Sequence, residues 1–400
     1  MFSLITSEGK TTWLRELAGA VADLGVFAPL AVALVVGNGM SATAALLPAG
    51  LLYLLVAQVY RLPVGVQPLK ALAAVAIANR LPPETIGAAA LCMGLLFTLL
   101  GVSGLLDKLA KVFPQSLVRG VQAAVGVLLI RSACMLVWLP PQPFRQYSIT
   151  MDWSIALAVG VLVLAIRLRR VNVTLILVAV GLLVAISRFD GEMTWGPSGM
   201  VGPSLDPAIW WTALVALVLP QAPLTLANAC IAPVDAARHY FGDQAERVKP
   251  GKLAITLGLA NLLAGAISGL PVCHGSGGMT AHVAFGAQTW RAPCLMGLAM
   301  VLVALVAGQG LGPVFAAFPV EILAGLLAAA GVLHFTLLAA LKGWPDKVVA
   351  ITVGIVGGAT LNLLWGLLAG ALLLILMRTL MWIWKRSLTN AQEKGSGPGR

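Results

Sequence analysis

Apolar runs of about 20 residues follow one another along the chain, each closed by a charged residue, a proline or a glycine; that is the length of helix that crosses a bilayer. Taken between their punctuation, the runs make fourteen segments. The first seven cover 13–36, 42–60, 64–79, 84–104, 114–138, 151–167 and 171–188. After an extracytoplasmic link, 189–206, the second seven cover 208–230, 250–269, 272–287, 292–311, 316–338, 346–363 and 364–384. From Lys385 the residues turn polar and glycine-rich, which predicts a disordered cytoplasmic tail over 385–400. The pattern as a whole predicts an all-α polytopic membrane protein.

Composition agrees. Of 400 residues 59% are hydrophobic and 10% charged, with a mean hydropathy of +0.94, far from the roughly 25% charged residues of a soluble domain. The lipid bilayer is therefore the first partner. The net charge of +11 does not point to nucleic acid, because the cations sit at segment ends and form no basic patch. With the N-terminus inside, twenty of the 26 Lys and Arg fall on the inner side; Arg80, Arg145 and Arg188 fall outside, and Lys70, Arg119 and Arg131 lie within spans. Cytoplasmic loops collect Lys and Arg, so both termini are expected in the cytoplasm and the host is expected to be the cytoplasmic (inner) membrane. Met1–Thr12 carries Glu8 and Lys10 and lacks the form of a signal peptide. Five scattered cysteines have neither the count of a disulfide framework nor metal-ligand spacing.

The two halves repeat. Phe113-Pro-Gln-Ser-Leu-Val-Arg-Gly120 lines up with Phe318-Pro-Val-Glu-Ile-Leu-Ala-Gly325, and Gly126-Val-Leu128 with Gly331-Val-Leu333, all at an offset of 205. Pro63-Val64 opens the third segment as Pro271-Val272 opens the tenth. Seven spans reverse direction when repeated, so 13–188 and 207–384 are expected to form a 7+7 inverted repeat. Segments three and ten, both interrupted by Pro and Gly, then mark a midplane site.

Candidate chemistry gathers there. In Pro271-Val-Cys-His-Gly-Ser-Gly-Gly-Met279 the helix breaks within the span, which is tolerated only where the chain lines a protein cavity. The second half-helix begins with free N–H groups and a partial positive charge, an anion-binding end. His274 and Ser276 offer side-chain donors, and Gly275, Gly277 and Gly278 permit close approach to the backbone. In segment three, Pro63 and Pro68 predict an extended stretch followed by a half-helix with Pro68 in its first turn, Gln67 near its N-cap and Lys70 facing a cavity or a partner. Asp23 is an intramembrane acid and a candidate partner of Lys70 or His274. Thr225 and Asn228 share a helix face, either lining the same cavity or joining helices. Asp23, His274 and Glu321 are the candidates for carrying a coupled proton, and His334 reads as a satisfied core histidine. No hydrolase triad, nucleophile elbow, zinc spacing or Walker sequence is present. The reading is a transporter and not an enzyme, with no metal and no cofactor.

Pro63-Val-Gly-Val-Gln-Pro-Leu-Lys-Ala-Leu-Ala-Ala74 and Pro271-Val-Cys-His-Gly-Ser-Gly-Gly-Met-Thr-Ala-His-Val-Ala-Phe-Gly-Ala287 together resemble the two signatures of the molybdate transporters related to the sulfate permease family. Glu16-Leu-Ala-Gly-Ala-Val-Ala-Asp-Leu-Gly25 and Pro223-Leu-Thr-Leu-Ala-Asn228 fit as well. The resemblance implies a core domain, 13–104 with 208–311, and a gate domain, 114–188 with 316–384. It implies an oxyanion held between half-helices three and ten, and elevator-like movement of core against gate. Gly65 and Leu69 depart from the first signature, and Ala281-His-Val-Ala284 from the second. The expected activity is secondary transport of a tetrahedral oxyanion, molybdate first and sulfate second, with Gln67, His274, Gly275, Ser276, Gly277 and Gly278 in contact and Asp23, Lys70, Thr225 and Asn228 near. Bicarbonate or a dicarboxylate on the same fold, or a passive anion channel, are the alternatives. Homodimerisation through the gate domain is left open.

Overall fold

A computed structural model describes residues 13–106, 114–168 and 173–395; the reading of Met1–Thr12 lies outside these. The chain is mostly helical and forms an integral multi-pass membrane protein. Its helices are α1 (Trp13–Asn38), α2 (Ala42–Tyr60), α3 (Lys70–Ala78), α4 (Pro83–Ser103), α5 (Gln115–Trp138), α6 (Met151–Arg167) and α7 (Val173–Arg188). There follow α8 (Pro207–Arg247), α9 (Pro250–Ala266), α10 (Ser276–Ala284), α11 (Arg291–Val306), α12 (Val320–Thr336), α13 (Trp344–Thr360) and α14 (Leu363–Gly395). Seven of the described helices are long and apolar enough to cross a membrane, or eight if α11 and the short helix Gly308–Ala316, bent 90° from it, count as one span. At 17 residues each, α6, α9 and α13 reach about 25 Å, just short of a bilayer's hydrocarbon.

The outer surface is what lipid requires. Leu157, Val163, Leu183, Leu302, Leu372 and Ile375 are exposed, an apolar coat that water would not tolerate. Exposed tryptophans stand at helix ends, Trp138 closing α5 and Trp153, Trp211 and Trp344 opening α6, α8 and α13, where an amphipathic ring suits the headgroup boundary.

Two helix groups share the interior. In one, α4 packs on α9 and α2 on α11; in the other, α12 packs on α5 and α6, and α13 on α5 and α14. Glycines set the closest crossings. A Cβ on Gly126 would lie 2.8 Å from the Gly331 carbonyl oxygen, and one on Gly331 would lie 2.7 Å from that of Gly126. Without an interhelical hydrophobic effect in lipid, such small-residue contacts carry much of the association.

Two boundaries differ from the sequence reading. Helix α8 runs to Arg247, past the expected end at 230, through π-helical stretches at Ala213–Val218 and Leu226–Ile231 that absorb Pro220, Pro223 and Pro233. The polar tail from Lys385 continues as α14 through Gly395, because nothing before Pro398 forbids a helix. The link 189–206 lies against one end of the first group. Ser198 Oγ is 2.7 Å from Ser41 Oγ, the Thr43 hydroxyl accepts the Ser198 N–H at 2.8 Å, and the Gly196 N–H donates to Val306.

Replacing Gly331 with leucine is expected to force α5 and α12 apart and to destabilise the protein by roughly 1–3 kcal/mol. A lower thermal midpoint in detergent is the expected result; an unchanged midpoint would show that the helices separate freely.

Candidate functional site

Helices α3 and α10 are each preceded by a short strand, β1 (Gly65–Pro68) and β2 (Val272–Gly275). The strands pair antiparallel, with Gly65 opposite Gly275, Val66 opposite His274, Gln67 opposite Cys273 and Pro68 opposite Val272. Extended chain in apolar surroundings needs such pairing, since no water satisfies its peptide groups. Pro68 lies in the last residue pair of β1, a place its missing N–H allows. It therefore closes the strand and does not enter the first turn of α3, which begins at Lys70. At Gly65 a Cβ would stand 2.6 Å from the Gly278 Cα, so only glycine lets β1 cross the start of α10. Asn261 of α9 supports β2: its Nδ2 donates to the Val272 carbonyl at 2.7 Å and its Oδ1 accepts the Val272 N–H at 2.9 Å. One amide side chain takes the place of a third strand.

Both helices thus start in the protein interior, and neither N-cap residue, Leu69 or Gly275, supplies a side-chain cap. The Leu72 N–H donates to Gln221 Oε1 at 2.9 Å, and Gln221 Nε2 donates to the Thr225 hydroxyl at 3.0 Å. The rest of each start keeps its positive end of the peptide dipoles.

Asp23 stands beside this junction, buried in a 3-10 turn of α1. Its Oδ1 accepts from Gln67 Nε2 at 2.5 Å and its Oδ2 from the Tyr53 hydroxyl at 2.9 Å. The Tyr53 oxygen is also 3.1 Å from the Val66 carbonyl oxygen. The partners expected for Asp23, Lys70 and His274, are not the ones it has; a Cβ on Gly278 would lie 2.6 Å from Asp23 Oδ2, so the carboxylate packs against the first turn of α10. Gln67, expected to donate outward, turns its amide nitrogen to this acid. His274 is fully buried. Its Nε2 is 2.7 Å from the Thr256 hydroxyl, which is 2.7 Å from the Tyr60 hydroxyl, and its ring meets Tyr60 edge-on. Side chains alternate along a strand, so where His274 faces α9, Cys273 stands toward the opposite side.

A cavity of about 530 Å³ opens in front of the strands, between the two helix groups. The strands, α3, α8 and the start of α10 contribute Gln67, Lys70, Thr225, Asn228, Cys273 and the glycines Gly275 and Gly277; atoms of His274 also reach it. The second helix group contributes Arg119 and Gln122 of α5 and His334 of α12. Arg119 Nη1 donates to Gln122 Oε1 at 2.9 Å, and its Nε has no partner among the described residues. Among the described residues of the lining, Lys70 and Arg119 are the charged ones and none is a carboxylate. The cavity runs toward the end of the molecule where α5 and α7 begin and α6 and α12 finish, reaching Thr174, Ala165 and Leu337.

Most residues singled out in the sequence therefore meet here. Gly278 lies in the first turn of α10 against Gly65 and Asp23, and the Ser276 side chain is outside the described part. Glu321 is not brought to the cavity: it is buried between α12 and α6, accepting from the Ser154 hydroxyl at 2.9 Å. His334 has Nδ1 2.7 Å from the Ala330 carbonyl oxygen of its own helix and also stands on the cavity wall. Gln221, Asn261, Tyr53 and Arg119 complete the site without having been marked. Gln221 and Asn261 carried a signal, an amide within an apolar span; Tyr53 carried none.

A family described as "Molybdate transporter of MFS superfamily" matches residues 15–129 and 213–333. The chain belongs to this family. Molybdate transporter 1 of Arabidopsis thaliana is 27% identical over 360 residues, covering 80% of this chain and 78% of its own. Molybdate transporter 1 of Chlamydomonas reinhardtii is 26% identical, covering 81% and 83%. Two solved structures share the fold. The transmembrane domain of the cyanobacterial bicarbonate transporter BicA superposes with a TM-score of 0.65 at 16% identity over 89% of this chain and 96% of that one. The murine anion transporter Slc26a9 in its inward-facing state gives 0.67 at 14% identity over 94% and 70%. The chain of this molybdate transporter family thus has an SLC26-like fold, and its two strand-led helices stand beside the cavity.

Changing Asn261 to leucine leaves both Val272 peptide groups unpaired, at roughly 1–3 kcal/mol each. The expected result is a lower thermal midpoint in detergent together with weaker binding of whatever ligand the cavity takes. A wild-type midpoint would mean that Val272 finds other partners.

Proposed function

We propose that this chain is a secondary active transporter of a tetrahedral oxyanion, molybdate before sulfate, and that the cavity before the paired strands is where the anion rests. One observation carries the reading: in an integral membrane protein, two helices open their uncapped starts on a cavity lined by Lys70 and Arg119 and, among the described residues, by no carboxylate. An anion gains from helix starts and from partly desolvated cations. Amide dipoles hold it without the tight clamp that a cluster of paired arginines makes, so release stays fast enough for turnover. The molybdate-transporting relatives supply the choice of oxyanion. We assign first contact to Gln67, His274, Gly275, Ser276, Gly277 and Gly278, with Lys70, Thr225 and Asn228 around them. Asp23 acts through Gln67, whose amide it holds.

The same proposal takes the fourteen helices as fourteen segments of an inverted repeat. Support comes from contacts that survive exchange of the halves. Gly50 of α2 opposes Gly297 of α11, while Gly258 of α9 opposes Gly94 of α4, and Gly126 and Gly331 oppose each other. Exchange turns the first pair into the second and the third into itself. The first helix group is the core, 13–104 and 208–311, and the second the gate, 114–188 and 316–384, with the core sliding against the gate as an elevator. With both termini in the cytoplasm, the mouth of the cavity faces inward, the side that gathers Lys and Arg. Proton coupling falls to Asp23 and His274; Glu321, held by Ser154, is a third group and remote from the anion.

Purified protein in sealed vesicles is expected to take up labelled molybdate with saturation and counterflow, sulfate competing more weakly and bicarbonate or a dicarboxylate least. Preferred uptake of bicarbonate would replace the substrate, and conductance without saturation or counterflow would make the chain a channel. Lys70→Ala is expected to lower uptake at subsaturating molybdate by about tenfold, the scale of one charge-assisted contact.

Asp23→Asn and His274→Ala are expected to flatten the dependence of uptake on an imposed pH gradient. Wild-type pH dependence in both variants would remove these two residues from coupling.

A further inference from the structure

Helices α1, α3 and α5 line the central cavity, through Leu30, Ala71 and Leu129 among others, and farther along, through Ala33, Ile77 and Arg131 among others, line a second cavity of about 360 Å³. The barrier between the two is thin: at 1.5 Å per residue it is about 3 Å along α5, from Leu129 to Arg131, about 4.5 Å along α1, from Leu30 to Ala33, and about 9 Å along α3, from Ala71 to Ile77. The two cavities therefore lie in series on one path through the molecule. The second carries Arg80 and Arg131, with Asn38 and Asn79, and again no carboxylate among the described residues.

The ends of α1, α3 and α5 turn carbonyl groups toward this cavity, a polarity that alone would favour a cation. The arginines reverse it. Arg131 Nη1 donates to the Ala78 carbonyl at 3.3 Å and Arg80 Nη2 to that of Leu139 at 3.5 Å. Each contact is long, and each guanidinium has five N–H donors, so most of the donors are left for a ligand. Independent evidence comes from Ser132, which lines the cavity, is 3% exposed, and whose hydroxyl has no partner among the described residues. A buried hydroxyl left without a partner is costly; the Ser132 oxygen is closed off from the cavity as it stands, and a turn of its side chain toward the cavity would give it a bound oxyanion as partner.

We propose that this second cavity is an oxyanion-binding site in its own right, formed by Arg80, Arg131 and Ser132, where the anion dwells outside the barrier before or after its stay at the central site. The proposal rests on the transport reading above, and on its orientation this site is the extracytoplasmic one. Both arginines also bridge the helix groups, Arg131 of α5 reaching α3 and Arg80 reaching the end of α5. An anion that draws the two guanidinium groups together here competes with the contacts that keep this end shut.

The test is molybdate transport measured from each face separately, in right-side-out and inside-out vesicles, with equilibrium binding of labelled molybdate to the purified protein. Arg131→Gln and Ser132→Ala are expected to raise the half-saturating concentration about tenfold from the extracytoplasmic face, leaving the maximal rate and the half-saturation from the other face within about twofold. Arg131→Lys, which keeps a charge, is expected to recover part of the loss. Wild-type protein is expected to bind a second, weaker molybdate that Ser132→Ala removes and Lys70→Ala does not. Equal effects from both faces, or none, would mean that the arginines only neutralise helix ends, and a single bound molybdate abolished by Lys70→Ala would overturn the second site while leaving the central one standing. No molybdate bound or transported by the wild type would overturn both.

Discussion

Peptide groups that leave a helix within a bilayer must find partners in the protein, and here they find them in each other. The four residue pairs between β1 and β2, with Asn261 on the Val272 peptide, are what permit α3 and α10 to begin in the interior. Every functional feature of the site follows from that. Without the pairing there are no interior helix starts, and the cavity would be lined by side chains alone. The strand pair also explains why glycine occupies Gly65 and why Gly278 lies so near: the two backbones cross where a side chain would keep them apart.

Polarity around the junction is graded. Asp23, Gln67 and Tyr53 form a closed set of hydrogen bonds behind the strands, while Lys70 and Arg119 face the cavity from opposite helix groups. A negative group held behind and positive groups held in front limit the total charge buried in the span, since uncompensated charge there is expensive. The result is a cavity that carries no large unpaired positive charge of its own, as the proposed anion site requires.

The sequence disclosed the membrane class, the predominance of helix and the breaks ahead of α3 and α10, because each rests on local rules: apolar length, proline, glycine. Lys70, Thr225, Asn228 and the glycines after His274 were placed at the cavity for the same reason. What it withheld was direction. Nothing local shows that Asp23 would bind Gln67 and Tyr53 in place of Lys70 or His274, or that the pleat turns His274 toward Thr256; these depend on the register between segments some 200 residues apart. Arg119 stood out only as a charge within a span, and its place opposite Lys70 depends on how two helix groups meet. Glu321 shows the reverse error, a buried acid whose partner Ser154 lies far along the chain and away from the site. The helical run beyond Lys385 was hidden by composition, which marks solubility better than it marks helix ends.

The link between the halves has a mechanical meaning. Ser198, Gly196 and Gly202 fasten it to the α2 start, the α11 end and Ser268, all in the first helix group, while its upstream end leaves α7 in the second. Most of the link is thus luggage of one body. Met193 and Thr194 already lie against Gly310, so if the two bodies shift, the strain falls on the few residues from Phe189 to Glu192, and that short stretch, not the link as a whole, would serve as the hinge.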